Sequence, residues 1–246
     1  MIKLFSALIP SSLKLKARNF FLKGNNVHCC LCDSNFLTFL PFGSIPRANA
    51  ICPNCGSLER TRLYWLYFKR ANILDNKLKF LHVAPERKIF ERIRLKKNIE
   101  YYPIDKFMPG YNYPEGTIEM DILDIKYDDN FFDFILCSHV LEHILDDRKA
   151  LSELFRVLKP GGKGILQVPI EETREHTFED FSIVNQEERA RLFGEQDHVR
   201  LYGNDYRKRL EQAGFRVMIN DFCFTMDGLT RFRNGLISER LYIVEK

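Results

Sequence analysis

The sequence predicts an α/β protein: a doubly wound, mostly parallel sheet preceded by a small cysteine-bearing module. Three observations predict it. From residue 76 onward, short apolar runs alternate with helical patterns, which argues for a parallel sheet covered by helices on both faces. Five of the seven cysteines, at 29, 30, 32, 52 and 55, fall within 27 residues near the N-terminus. The charge divides near the same place: residues 1–72 hold ten Lys/Arg against Asp33 and Glu59, a formal +8, although the whole chain carries only +4. The expected organisation is a basic segment over residues 1–75, with a ribbon at 29–55 and a linking helix, followed by one larger domain over 76–246.

Composition sets the outer bounds. With 246 residues, 45% hydrophobic and 28% charged, the chain is too apolar for a disordered protein. Its 13 Gly and 10 Pro are too few for a fibrous one. No apolar run reaches the length of a spanning helix. The first ten residues lack a cleavage pattern and are soon followed by Lys14, Lys16 and Arg18, so a cytoplasmic location is expected. Residues 11–23 are basic and mildly amphipathic, which suits a docking helix or contact with a membrane surface.

The cysteines carry the most specific local signal. Cys29-x2-Cys32 and Cys52-x2-Cys55 are separated by 19 residues, the spacing of a zinc ribbon. Two such turns bring four thiolates around one ion, and a closed four-sulfur site is structural. Asp33 and Ser34 after the first pair, and Pro53, Asn54 and Gly56 around the second, are turn formers. Cys30 is a spare thiol. Cys137 and Cys223 lie in apolar runs and read as core residues. Residues 58–73 follow with apolar positions at helical spacing; Arg60, Arg62, Lys69 and Arg70 read as a solvated face.

The larger domain is justified element by element. Residues 78–83 are a buried strand, and 85–95 a helix with Pro85 in its first turn. Residues 100–104 are a second strand ending at Asp105, and 118–122 a third that contains Asp121. The dense run 131–138 is the fourth. A helix over 146–158 is capped by Asp146 or Asp147, presents Leu151, Leu154, Phe155 and Leu158, and is stopped by Lys159-Pro160-Gly161-Gly162. Residues 163–168 form a fifth strand. A helix ends near Gly214, and strands at 215–222 and 241–244 complete the set.

In such a sheet ligands bind beyond the carboxyl ends of the strands. Those ends carry His82-Val83-Ala84-Pro85-Glu86, Asp105-Lys106, Asp121-Ile122 and Ser138-His139. An acid ending the second strand suits a ribose diol, and one after the third suits an exocyclic amine. Taken together, Asp121-Ile122-Leu123-Asp124, the run from Phe131 to Ile144 (FFDFILCSHVLEHI) and Leu158-Lys159-Pro160-Gly161-Gly162 resemble the class I S-adenosylmethionine-dependent methyltransferases of the methyltransferase-11 type. The resemblance covers about residues 76–246. It implies a seven-stranded, Rossmann-like sheet with an antiparallel last strand. It also implies that Asp105 holds the ribose, Asp121 and Ile122 the adenine, and Ser138-His139 the methionine end of the cofactor, with Lys106 beside Asp105.

One departure concerns the first turn. The family's Gly-rich turn is replaced here by His82-Val83-Ala84-Pro85-Glu86-Arg87, with Ala84 as the small residue. Glu86 either binds the cofactor's ammonium group or caps the following helix. This turn resembles a subgroup of methyltransferases that carry an N-terminal zinc ribbon ahead of an Ala-Pro-Glu turn.

The chemistry implied is displacement at a sulfonium methyl, with a base needed only when the acceptor carries a proton. His139 and His143 are candidate bases, four residues apart. Residues 171–203 form a long polar segment, read as an acceptor-side lid. It contains Asp197-His198-Val199-Arg200, where Asp197 could raise the basicity of His198 and Arg200 could clamp an anion. His139 and His198 are therefore the expected catalytic residues. The expected partner is a small-molecule or saccharide acceptor. An RNA methyltransferase gripping phosphates with the basic module, and a non-catalytic binding protein of the same fold, are the alternatives. The oligomeric state is not legible in the sequence.

Overall fold

The computed structural model describes residues 18–43 and 46–246. The readings over residues 1–17 lie outside the described residues. Among the described residues, no helix is long and apolar enough to cross a membrane. The chain divides into two compact units. The first takes the chain up to Leu74 together with Asp221–Glu239; the second takes Asp75–Asn220 and Arg240–Lys246. Residues 221–239 were expected in the larger domain and instead fold with the N-terminal unit.

The first unit is built on two small antiparallel hairpins. β1 (Lys23–Cys29) pairs with β2 (Ser34–Phe36), and β3 (Leu40–Phe42) pairs with β4 (Arg47–Ile51). Helix α1 (Glu59–Arg70) follows, burying Leu63, Tyr64, Trp65 and Phe68. Glu59 in its first turn and Lys69 and Arg70 in its last match the helix dipole. Later in the chain, α6 (Gly228–Arg233) is capped by Asp227, whose side chain accepts the Thr230 N–H.

Arg62 corrects the expectation of a solvated basic face. It is fully buried. Its guanidinium donates to the carbonyls of Asn234 (2.8 Å), Ala50 (2.7 Å) and Gly235 (2.6 Å), and also to that of Ser57. It also lies 4.3 Å over the Phe39 ring. Five fixed donors in a plane allow one side chain to bind four carbonyls from three stretches of chain. This brace fastens residues 234–235 to the cysteine-bearing hairpins.

The second unit is a seven-stranded sheet. Its strands are β5 (Leu78–Val83), β6 (Ile99–Asp105), β7 (Ile118–Glu119), β8 (Phe132–Ser138), β9 (Leu158–Gln167), β12 (Arg216–Asn220) and β13 (Leu241–Glu245). The spatial order is β12-β13-β9-β8-β5-β6-β7. β13 runs antiparallel to both β9 and β12, and the other pairings are parallel. This is the sheet the resemblance implied. Helices α2 (Arg87–Ile93), α3 (Asp147–Val157) and α5 (Tyr206–Gln212) accompany it. Leu151, Leu154 and Val157 of α3 join Leu81, Ile135 and Leu166 of the strands in one core. Asp146 caps α3 as expected, its carboxylate accepting the Lys149 N–H at 2.9 Å.

Two elements differ from expectation. The third strand stops at Glu119 because Asp121 folds the chain back: its side chain accepts the Leu123 N–H at 2.9 Å and its carbonyl the Asp124 N–H at 3.0 Å. The Lys-Pro-Gly-Gly run opens β9 directly after α3 instead of forming a separate stop. Gly161, at φ 75°, donates its N–H to the Lys246 carbonyl at 2.8 Å, so the strand begins against the end of the chain.

Replacing Arg62 tests the brace. Arg62→Ala leaves four carbonyls without their donor and is expected to lower the stability of the first unit by about 3–5 kcal/mol. Arg62→Lys, lacking the fork, is expected to recover less than half of that. Urea unfolding followed by the single tryptophan, Trp65, would measure both, and an unchanged midpoint would count against the brace.

Candidate active site

The sheet reverses its order beside β5: β6 and β7 lie on one flank, and β8, β9, β13 and β12 on the other. The carboxyl ends of β5 and β8 flank that reversal, paired in parallel through Val83↔Cys137. Both strands end alike. Ala84 follows β5 at φ 49° and donates its N–H to the Ile104 carbonyl at 2.9 Å. His139 follows β8 at φ 54° and donates its N–H to the Gln167 carbonyl at 2.8 Å. A left-handed residue with a side chain costs about 1–2 kcal/mol, and two stand at this one sheet edge. The turn that lacks glycine keeps a backbone conformation that glycine adopts freely.

The side chains around this edge are largely engaged. Glu86 precedes α2, and its side chain makes no capping hydrogen bond. Its Oε2 lies 2.7 Å from Nε2 of the fully buried His82, whose Nδ1 is 2.7 Å from the Tyr101 hydroxyl. Pro85 is buried between them in sequence. Asp105 ends β6 half-buried; burial raises its carboxyl above the ordinary range, against the Lys106 N–H and the charge of His82. Asp121 accepts from Lys106 Nζ at 2.7 Å. Burial opposes its ionisation, and the Lys106 ammonium outweighs that, holding Asp121 below the usual range. Lys106, Met120 and Asp121 line an open recess of about 300 Å³ together with Glu119, Asp124 and Lys126. Ile122 and Ser138 are buried beside these strand ends.

A second group gathers after β8. His139 Nδ1 stands 3.2 Å from Oε1 of Glu142, a carboxylate with no solvent exposure. His143 Nδ1 faces Asp197 Oδ2 at 3.3 Å, and the rings of His143 and His198 meet edge to face at 4.8 Å. His198 is buried, its Nδ1 3.0 Å from the Phe193 carbonyl. Burial works against a charged Glu142, and the imidazoles of His139 and His143 outweigh it, holding the carboxyl below its ordinary range. The two expected catalytic histidines thus stand on either side of Glu142 and His143. Glu142 itself was missed by sequence reasoning; its spacing of three from His139 was the available signal. Asp197 faces His143 rather than its neighbour His198.

Segment 171–203 is folded rather than loose. β10 (Phe178–Glu179) pairs with β11 (Arg200–Leu201), and α4 (Gln186–Phe193) lies between them, capped by Asn185. Arg200 does not face outward as an anion clamp. It is buried, donating to the carbonyls of Leu141 (2.8 Å) and Leu145 (2.9 Å) and to Glu179 (2.9 Å). Arg209 binds Asp147 at 2.9 Å and Glu179 at 2.7 Å, and the Tyr202 hydroxyl donates to Asp147 at 2.7 Å. This network fastens the segment to the start of α3.

In the first unit, Cys29, Cys32, Cys52 and Cys55 converge, with their sulfurs all within 4.8 Å of one another. The pairs Cys29–Cys55 and Cys32–Cys52 are 3.6 and 3.7 Å apart. The two turns are built alike: Asp33 N–H donates to the Cys29 carbonyl at 2.8 Å and Gly56 N–H to the Cys52 carbonyl at 2.9 Å. Asp33 and Gly56 both take left-handed φ, 56° and 72°. Cys30 points elsewhere, 3.7 Å from the Arg62 carbonyl, and burial pushes its thiol up to about 12.

This strand order, with its antiparallel seventh member and its two left-handed turns at the reversal, defines the class I methyltransferase fold. Comparison with known families agrees: the description "Methyltransferase domain" matches residues 55–166, and the ubiE/COQ5 methyltransferase family matches residues 117–240, about half of the chain. The chain belongs to the ubiE/COQ5 methyltransferase family.

Among curated proteins, it is 28% identical over 125 residues to the ubiquinone/menaquinone biosynthesis C-methyltransferase UbiE of Vibrio cholerae, covering 49% of this chain and 48% of that one. It is 40% identical over 75 residues to an uncharacterized protein of Methanocaldococcus jannaschii, covering 30% and 33% of the two chains. The chain thus spans half or less of these relatives' length. Among solved structures, an S-adenosylmethionine-dependent methyltransferase from Mesorhizobium loti superposes with a TM-score of 0.52 at 13% identity, covering 74% of this chain and 97% of that one. The cyclase SpnF superposes with a TM-score of 0.51 at 16% identity, covering 77% and 82%. At these identities the likeness is one of fold.

The left-handed turn gives a direct expectation. Ala84→Gly removes the clash of Cβ and adds some chain entropy to the unfolded state, for a net stabilisation of about 1 kcal/mol. Thermal unfolding of the variant would show it, and a lowered midpoint would contradict the reading of Ala84 as a strained substitute for glycine.

Proposed function

We propose that this protein is an S-adenosylmethionine-dependent methyltransferase acting on a small-molecule acceptor. The observation that carries the reading is the matched pair of left-handed strand ends, Ala84 and His139, at the sheet reversal, with acids at the ends of the next strands. The residues there fit the cofactor. Asp105 is a half-buried carboxyl raised by burial, and two ribose hydroxyls would add donors to the Lys106 N–H it already meets. Ala84, Pro85 and Glu86 bring the first turn close to the methionine end, together with Ser138 and His139. Asp121, beside Lys106, and Ile122 hold the adenine edge and face.

When bound, S-adenosylmethionine supplies a methyl group on a positively charged sulfur. An acceptor lone pair held in line with that carbon would take the methyl group as the carbon–sulfur bond broke, the electron pair staying on sulfur. Orientation of the acceptor is the protein's main contribution. His139 and His198 serve the acceptor side, His139 taking a proton where the acceptor carries one. Residues 171–203 cover that side and set acceptor choice. The matched relatives whose names specify quinone biosynthesis support a small organic acceptor over a saccharide. The RNA reading rests on the basic N-terminal segment alone, and predicts binding that weakens steeply with salt.

The cofactor assignment is tested by calorimetry. Asp105→Ala is expected to weaken S-adenosylmethionine binding at least tenfold, about 1.4 kcal/mol, without lowering the melting temperature. Equal affinity in the variant would remove Asp105 from the site.

The four cysteines fit a structural zinc ion. A tetrahedron with zinc–sulfur bonds of about 2.3 Å has edges of about 3.8 Å, close to the Cys29–Cys55 and Cys32–Cys52 separations of 3.6 and 3.7 Å. Elemental analysis of Cys32→Ser is expected to show one zinc per chain fewer than the parent protein. Equal zinc contents would sink this assignment.

A further inference from the structure

Glu142 presents an anomaly. Its side chain is wholly buried, yet neither carboxylate oxygen has a hydrogen-bond donor among the described residues. The nearby His139 nitrogen lies at 3.2 Å without the alignment of a hydrogen bond. Buried carboxylates are normally satisfied by donors or by a cation.

Two imidazoles converge on the same place. One ligating atom from each of Glu142, His143 and His198 can be chosen so that all lie within 4.8 Å of one another. Their outer partners follow the pattern of metal-bound histidines. The Nδ1–H of His198 points to the Phe193 carbonyl at 3.0 Å, which leaves Nε2 as the ligating nitrogen. His143 Nδ1 faces the Asp197 carboxylate at 3.3 Å, leaving its Nε2 as well. Two segments distant in sequence supply the set, and Val199 N–H to the Glu142 carbonyl, at 2.9 Å, pins them together.

We propose that Glu142, His143 and His198 form a binding site for a borderline divalent cation of the zinc or iron kind. Two imidazoles and one carboxylate are the donor set these ions share. Closing it around bonds of about 2.1 Å requires the three side chains to draw in by about 1 Å. Three protein ligands leave at least one coordination position for water or an oxygen of a bound molecule. With the cation in place His198 is a ligand, and proton transfer falls to His139. The site rests on its own side chains and stands apart from the cofactor assignment. It is also distinct from the cysteine cluster, which offers sulfur alone.

Cobalt(II) is a suitable probe because its thiolate complexes show an intense charge-transfer band that imidazole–carboxylate complexes lack. The purified full-length protein is titrated with Co2+, with bound metal counted by equilibrium dialysis and the band followed by absorbance. One cobalt per chain is expected to bind without the thiolate band. His143→Ala and His198→Ala are expected to weaken that binding by at least tenfold, and Asp197→Ala, an exposed outer partner, by about tenfold. Cys32→Ser is expected to leave it unchanged. Circular dichroism checks that the histidine variants fold, and the Asp197 variant carries the test if they do not. Absence of thiolate-free cobalt at millimolar metal, or equal binding in folded His143→Ala or in Asp197→Ala, would overturn the site. Failure of cofactor binding in the calorimetric test would leave it standing.

Discussion

The parallel pairing of β5 with β8 is the constraint on which the second unit depends. Leu81, His82 and Val83 lie in register with Ile135, Leu136 and Cys137, and this fixes where the sheet turns from one direction of growth to the other. The acids on β6 and after β7, and the histidines after β8, come to one edge because of it. Neither left-handed turn would survive alone at its energetic cost. Each is held by an N–H donated to the neighbouring strand, Ala84 to Ile104 and His139 to Gln167.

Much of this was legible in the sequence because it obeys local rules. Apolar runs gave β5, β6 and β8 to within a residue or so, and Asp146 announced its helix by the chemistry of its cap. The spacing of the cysteines anticipated their convergence. What was not legible depends on partners far away in the chain. Arg62 looks like any exposed helical arginine until the carbonyls at 234 and 235 arrive. Glu142 looks like a turn acid until residues 197–199 close over it. Arg200 was read as a binding residue because arginine is a good anion clamp, and the same forked donors suit it to gathering backbone carbonyls. The third strand was overestimated because Asp121 competes for its own backbone.

The likeness to both a methyltransferase and a cyclase shows how little of a reaction the sheet decides. Chemistry is left to the loops beyond the strands. In this chain the strand ends and the loops beyond them hold His82, Glu86, His139, Glu142, His143 and His198, arranged in pairs instead of singly. At Glu142 burial and the neighbouring imidazoles oppose each other, and the imidazoles prevail.

The first unit has a consequence for biogenesis. Its polypeptide is not contiguous: Asp221–Glu239 must return to it after the entire sheet up to β12 has been made. On the ribosome, the cysteine hairpins emerge well before the carbonyls of Asn234 and Gly235, two of the four that Arg62 binds. At about 5–20 residues per second, that leaves a buried-to-be guanidinium waiting roughly ten to thirty seconds for those two acceptors. The hairpin unit is therefore completed only after the sheet that follows it in the chain.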